Sequence, residues 1–195
     1  MRQAVDDQLL DGDGQRKYVC ASEWRRFLEA AARMDLASRT FCYLLALTGC
    51  RISEALALTP RRLDPETGRV IFRTLKRRKC VYRAVPVPAD LMRLLTLFAR
   101  GKAGDTPLWT WSRQTGWRRV KHAMFAAGIS GTQATAKGLR HGFCMAAAEE
   151  GVHPATTQRW AGHARLETTA IYTYAVGQEE RAFAKRIWRR APKLS

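Results

Sequence analysis

Hydrophobic residues in this chain recur at helical spacing except in one place, residues 69–87, where the period drops to two. RVIFRTLK alternates, KRRK makes a polar turn, and CVYRAVPVP alternates again until Pro86 and Pro88 close it. A period of two sends successive side chains to opposite faces, and two such runs around a tight polar turn form a hairpin. Proline cannot donate to a central ladder, so this hairpin belongs to a small sheet or its edge. The rest of the chain is patterned as helix. Together they predict a mainly α domain with a small antiparallel β-sheet, an α+β fold.

The helical segments have recognisable stops. Ser22 offers an N-cap ahead of Trp24, Phe27, Leu28 and Ala31, which share a helical face. A second helix near 37–48 carries Phe41, Leu44, Leu45 and Thr48 on one side, and Gly49 interrupts it. ISEALALT then starts a short helix, and the pair reads as a buried helical hairpin. Leu91, Leu94, Leu95 and Phe98 define one further helix, and Trp117, Val120, Met124 and Ala127 the next. Residues 138–150 and 154–161 follow, the latter stopped by Gly162, and Thr168 or Thr169 caps a helix bearing Ile171 and Tyr172. QEERAFAKRIWRR is acidic at its start and basic at its end, as a helix dipole prefers. Its stripe of Phe183, Ile187 and Trp188 suits docking on a neighbouring protomer and core packing equally well. Residues 1–18 read as a flexible leader and 19–195 as a single domain.

Charge narrows the partner. Thirty-four Lys and Arg against seventeen Asp and Glu leave +17, a surplus that repels itself unless a polyanion is the working partner. Nucleic acid fits through phosphate contact and counterion release. An anionic membrane is the rival, but the chain has no basic amphipathic anchor, lipidation signal or apolar run near the ~20 residues a span requires. The polar, partly acidic start MRQAVDDQLLDGDGQ is neither a signal nor a transit peptide. Cys20, Cys42, Cys50, Cys80 and Cys144 are odd in number and contain no CxxC pair, which argues against disulfides and zinc and for reduced cytoplasmic thiols.

Four clusters carry chemistry. In TGCRISEAL, Arg51 follows a helix break in an apolar stretch, where its planar fork suits a phosphate, and Glu54 three residues on can hold it. The turn Lys76-Arg77-Arg78-Lys79 crowds four cations at a hairpin tip, which suits a DNA groove or a solvated edge. In KGLRHGF, Lys137 and Arg140 are three apart at a helix start and His141 points elsewhere. In AGHARLETTAIYTY, His163 follows Gly162 and Tyr172 comes nine residues later, with Tyr174 a competing hydroxyl on another face. Arg118, Arg119, Lys121 and His122 mark a further helix able to contact DNA. Taken singly, each cluster is equally at home on an ordinary protein surface.

In this order and spacing, the four together resemble the catalytic domain of the tyrosine recombinases, or phage integrase family, over residues 18–190. TGCRISEALAL looks like the first-arginine motif, the hairpin like the lysine-bearing β-turn, and GLRHGF like the second-arginine motif. AGH and TTAIYTY look like the histidine and nucleophile segment. The resemblance implies site-specific DNA recombination through a 3′-phosphotyrosyl intermediate. Tyr172 would attack, and Arg51 and Arg140 would clamp the phosphate oxygens. Lys76 would protonate the leaving 5′ oxygen, His163 would hydrogen-bond the phosphate, and Glu54 would steady Arg51. No metal or other cofactor is implied. The partners would be double-stranded DNA, a dimer per site and a tetrameric synapse, with an accessory DNA-binding protein, on the nucleoid in the cytoplasm.

Two departures stand out. The family usually has His where this chain has Lys137, a cation that can donate to phosphate but is a poor base. The N-terminal DNA-clamping domain usual in the family has no counterpart in the roughly twenty residues ahead of the first motifs. Two other readings share these residues: a type IB topoisomerase-like enzyme, and a catalytically silent DNA-binding regulator.

Overall fold

The computed structural model describes residues 9–74, 81–165 and 167–175, with 173–175 described by backbone alone. Eight α-helices and three strands occupy these residues. They are α1 (Ala21–Ala32), α2 (Leu36–Thr48), α3 (Ile52–Leu56), β1 (Leu63–Asp64), β2 (Arg69–Thr74) and β3 (Val81–Pro86). Then come α4 (Ala89–Ala99), α5 (Arg113–Ala126), α6 (Ala136–Glu149), α7 (Pro154–Ala161) and α8 (Glu167–Ala175). The mainly helical fold with one small antiparallel sheet is the one the hydrophobic period predicts.

The strands lie in the order β1-β2-β3, all antiparallel. Val70 opposes Val85 and Phe72 opposes Arg83, and all four face inward and are buried. Pro86 sits at the end of β3, at the sheet margin, where its missing N–H costs little.

Helix α2 is the centre of the core. Phe41, Leu44 and Leu45 are buried against Phe27 and Ala31 of α1, Leu91 and Leu95 of α4, Val120 and Met124 of α5, and Leu139 of α6. A second, smaller cluster joins Leu9, Cys144, Met145, Ala161, Ile171 and Tyr172. Part of the stretch read as a leader is therefore packed. Leu10 bridges to Arg16 and Leu9 enters the second cluster, and just beyond that stretch Val19 N–H donates to the Gly138 carbonyl at 3.1 Å.

Several local expectations change. The cap of α1 is Cys20 and not Ser22, because Glu23 at the third helical position reaches back to the Cys20 N–H at 3.1 Å. Helix α3 is a single short turn, too short for a helical hairpin with α2, and it packs on α5 and β2 as well. Trp117 is 47% exposed, and Gly116 takes its place on the inner face of α5, where a Cβ would stand 3.0 Å from the Phe41 ring. Thr168 and Thr169 lie inside α8, which begins at Glu167. The C-terminal segment containing Phe183, Ile187 and Trp188 lies outside the described residues. Among the described residues, no helix is long and apolar enough to cross a membrane.

Candidate active site

Arg51 sits where it does because α2 ends on Gly49 in the left-handed conformation, φ 60°, which reverses the chain within two residues. A Cβ at Gly49 would also lie 2.5 Å from the Phe143 ring. Arg51 then caps α3, its N–H donating to Glu54 Oε2 at 2.8 Å and its Nη1 to Glu54 Oε1 at 3.1 Å. Glu54 is thus bonded to Arg51, but its stronger partner is Arg83. Both Arg83 nitrogens clamp the carboxylate, Nη1 to Oε1 at 2.9 Å and Nη2 to Oε2 at 2.8 Å, in a pair with both side chains buried. Burial raises the Glu54 pKa, yet the Arg83 hydrogen bonds and charge, with Arg51, outweigh it and hold the carboxyl below its ordinary range.

Arg140 crosses from α6 to join this group. Its Nη1 donates to the Gly49 carbonyl at 2.8 Å and to the Ala161 carbonyl at 2.5 Å. Arg51 Nη2 donates to the Gly162 carbonyl at 3.0 Å, and Arg83 Nε to the Trp160 carbonyl at 2.9 Å. Three arginines thus converge on the end of α7. Burial, then the Arg51 charge, lowers the Arg140 pKa from its ordinary value. Among the described residues, no hydrogen bond engages Arg140 Nη2 or Nε, or Arg51 Nε; these donors suit an anion.

His163 follows directly, after Gly162 closes α7 with φ 67°. Its Nδ1 pairs with Thr169 Oγ1 at 2.9 Å, which leaves Nε2 for a ligand. Burial, then the charges of Arg140 and Arg51, pushes its pKa down to about 3, so the ring is neutral. In the tautomer where the Thr169 hydroxyl donates to Nδ1, Nε2 carries the proton and is a donor.

Tyr172 is 2% exposed on α8 and stacks on His163, with ring centroids 6.1 Å apart and planes 15° from parallel. Its hydroxyl lies 2.6 Å from His141 Nδ1. His141 does point away from Arg140, as adjacent helix residues must, but it points onto the phenol. Burial, then the Cys144 thiol, raises the Tyr172 pKa above the ordinary phenol value, while Arg140 pulls the other way. Burial similarly pushes Cys42 and Cys50 up to about 12 and Cys144 to about 11, as inert thiols.

The predicted residues Arg51, Glu54, Arg140, His163 and Tyr172 therefore come together from α2–α3, α6, α7 and α8. Lys76, Arg77, Arg78 and Lys79 lie outside the described residues, as does the Tyr174 side chain. Lys137 is exposed in the first turn of α6, and its charge is felt at His141. Arg118 is exposed, and Arg119 lies over the Trp111 ring at 5.5 Å. Lys121 Nζ donates to the Ala134 carbonyl at 3.1 Å. Arg83 and His141 were missed. Arg83 had one sequence signal, an arginine sharing the inward parity of Val85 in β3.

The mainly helical domain with one small antiparallel sheet has the fold of a tyrosine-recombinase catalytic domain, and it gathers two arginines, a neutral histidine and a tyrosine around the α7 terminus. The phage integrase family profile matches residues 17–179, and the chain belongs to that family. It is similar to tyrosine recombinase XerA of Pyrococcus furiosus, 30% identical over 167 residues, covering 80% of this chain and 57% of that protein. Tyrosine recombinase XerD of Haemophilus influenzae is 28% identical over 169 residues, covering 79% of this chain and 55% of that protein. The chain thus spans about half the length of these curated relatives. In fold it matches the XerH site-specific recombinase bound to palindromic difH substrate (TM-score 0.77, 21% identity, 96% of this chain and 64% of that one). The catalytic domain of bacteriophage HP1 integrase also matches (TM-score 0.62, 20% identity, 91% and 98%).

Proposed function

We propose that this chain carries out site-specific DNA recombination, breaking and rejoining strands through a 3′-phosphotyrosyl intermediate on Tyr172. The observation that carries the reading is the hydrogen-bonded convergence of Arg51 and Arg140 on the carbonyls of residues 161 and 162, beside His163 and its stacked Tyr172. The open arginine donors bind the nonbridging oxygens and meet the charge that develops at phosphorus. His163 Nε2 donates to the same phosphate, Lys76 protonates the leaving 5′ oxygen, and Lys137 adds a cation at the rim. A buried phenol is held protonated. It becomes a nucleophile when DNA brings the phosphate to the arginines and a base removes its proton. The covalent bond conserves the energy of the broken ester, so the reaction needs no cofactor.

The +17 surplus suits double-stranded DNA as partner, with Arg77, Arg78, Lys79, Arg118 and Arg119 on backbone phosphates. Lys121 contributes by holding the loop ahead of α6. Residues 19–195 act as one catalytic domain. Family likeness supports a dimer on each site, four protomers in the synapse and help from an accessory DNA-binding protein.

The test is a denaturing gel after incubation with nicked duplexes of randomised core sequence. The wild-type chain forms a covalent adduct, insensitive to EDTA. Tyr172→Phe binds the same DNA and forms none. Binding without any adduct favours a silent regulator, and an adduct mapping to Tyr174 overturns the choice of nucleophile. Relaxation of a plasmid with no exchange between paired sites favours the topoisomerase-like reading.

A further inference from the structure

The proposed chemistry needs a group to take the phenol proton, and Lys137 stands where a base would be expected. Most neighbours of Tyr172 are unable to do it. Arg51 and Arg140 accept no proton. Glu54 is already engaged by Arg83 and Arg51. His163 presents its ring face to the phenol and commits Nδ1 to Thr169. The Cys144 thiol stays protonated in its buried site. His141 is different, because its Nδ1 meets the Tyr172 hydroxyl at 2.6 Å. Its Nε2 is buried and makes no hydrogen bond, so the phenol is its one hydrogen-bond partner among the described residues.

Resting on the proposed cleavage reaction, we infer that His141 is a catalytic residue, the general base that takes the Tyr172 proton at Nδ1 and returns it on rejoining. In cleavage the Oη–H bond breaks and Nδ1–H forms, while Oη bonds to phosphorus and the P–O5′ bond breaks. The 5′ oxygen takes its proton from the Lys76 ammonium, so protons and electron pairs balance. Rejoining runs each transfer backwards. With Nδ1 accepting, the resident proton of the neutral ring sits on Nε2.

The surroundings of His141 suit this cycle. Burial, then Lys137, Arg140 and Lys17, holds its pKa at about 4, so the ring is neutral, with a free lone pair at Nδ1, but weakly basic while those cations are unopposed. Tyr172 faces it from α8, and His163 is close enough for the two rings to feel each other's charge. A DNA phosphate set against Arg140 and Lys137 offsets two of the cations that depress the ring. Its basicity then rises when substrate is bound and the imidazolium has to form.

The test is single-turnover cleavage of the same nicked duplexes by the full chain. His141→Asn keeps a polar group at the position but takes up no proton. Its adduct formation is expected to slow by about 100-fold or more with DNA affinity unchanged. In His141→Ala, added imidazole restores adduct formation in proportion to its neutral form. A 5′-bridging phosphorothioate, which needs no acid, leaves the His141 defect in place. A His141→Asn rate within about threefold of wild type overturns the inference while the recombinase reading stands. A wild-type chain that forms no adduct overturns both. Nitrogen-15 spectra of the ring test the contact in the folded chain without DNA. The His141 Nδ1 signal is expected to shift in Tyr172→Phe, and an unmoved signal refutes the hydrogen bond.

Discussion

Replacing Arg83 by methionine keeps most of the side-chain volume and removes the charge that clamps Glu54. The variant loses both bonds to the carboxylate, at 2.9 and 2.8 Å, and the bond to the Trp160 carbonyl at 2.9 Å. Glu54 remains buried, with only the Arg51 N–H and Nη1 left to it. Stripping one partner from a buried ion pair costs about 3–5 kcal/mol, and the surviving Arg51 contacts place this case near 3. That is a large share of the ~5–15 kcal/mol that holds a domain together. In urea, with a slope of about 2 kcal/mol per molar, the unfolding midpoint falls by roughly 1.5 M. The same change displaces Arg51 and the α7 terminus, so adduct formation falls further than DNA binding. Acid narrows the contrast. A carboxyl held below its ordinary range stabilises the fold above about pH 4.3 and loses that contribution as pH falls through its folded value. In Arg83→Met less of that contribution exists to be lost, so the two stabilities converge as pH falls. A midpoint shift below about 0.3 M would refute the account, because Glu54 would then be solvated or paired elsewhere.

Gly49→Ala forces a left-handed backbone on an alanine and drives its Cβ into Phe143. The expected loss is about 2 kcal/mol or more by urea titration, with Arg51 moved out of register. Thr169→Val removes the hydroxyl from His163 Nδ1, costing about 1 kcal/mol and freeing the ring to change tautomer. Adduct formation should drop while DNA binding holds, and an unchanged rate would remove Thr169 from the mechanism. His163 and His141 are depressed to about 3 and 4 in the fold and return to about 6.5 on unfolding, so the unfolded chain binds more protons. Stability is intact above about pH 6.5 and declines toward pH 4, by up to about 1.4 kcal/mol per unit for each ring. The His163→Gln variant should show a shallower decline between about pH 7 and pH 5 than the wild type.

Much of the fold and most of the site were legible from residues alone, for reasons that are local. The alternation of residues 69–74 and 81–86, the helical spacing of Phe41, Leu44 and Leu45, and the stops at Gly49 and Gly162 are all short-range preferences of the backbone. Those stops also reveal where Arg51 and His163 must emerge, since each follows a left-handed glycine by one or two residues. Capping was less legible. Glu23, which ties the cap to Cys20 and not Ser22, is also held by Arg16 seven residues back and by Gln133 in a segment more than a hundred residues away.

The pairings that make the site chemical came from packing. Arg83 lies 29 residues from Glu54, and His141 lies 31 from Tyr172. No preference of either segment names its partner across such distances. Helix α8 lays Tyr172 along α6, and the phenol meets His141 because that is the ring on the facing turn. Strand parity put Arg83 inside, but the carboxylate waiting there was supplied by α3. Charge and motif say which groups a phosphate would need. Burial, which strips water from them and leaves each to its nearest neighbour, determines what every group is bonded to and whether it carries a proton.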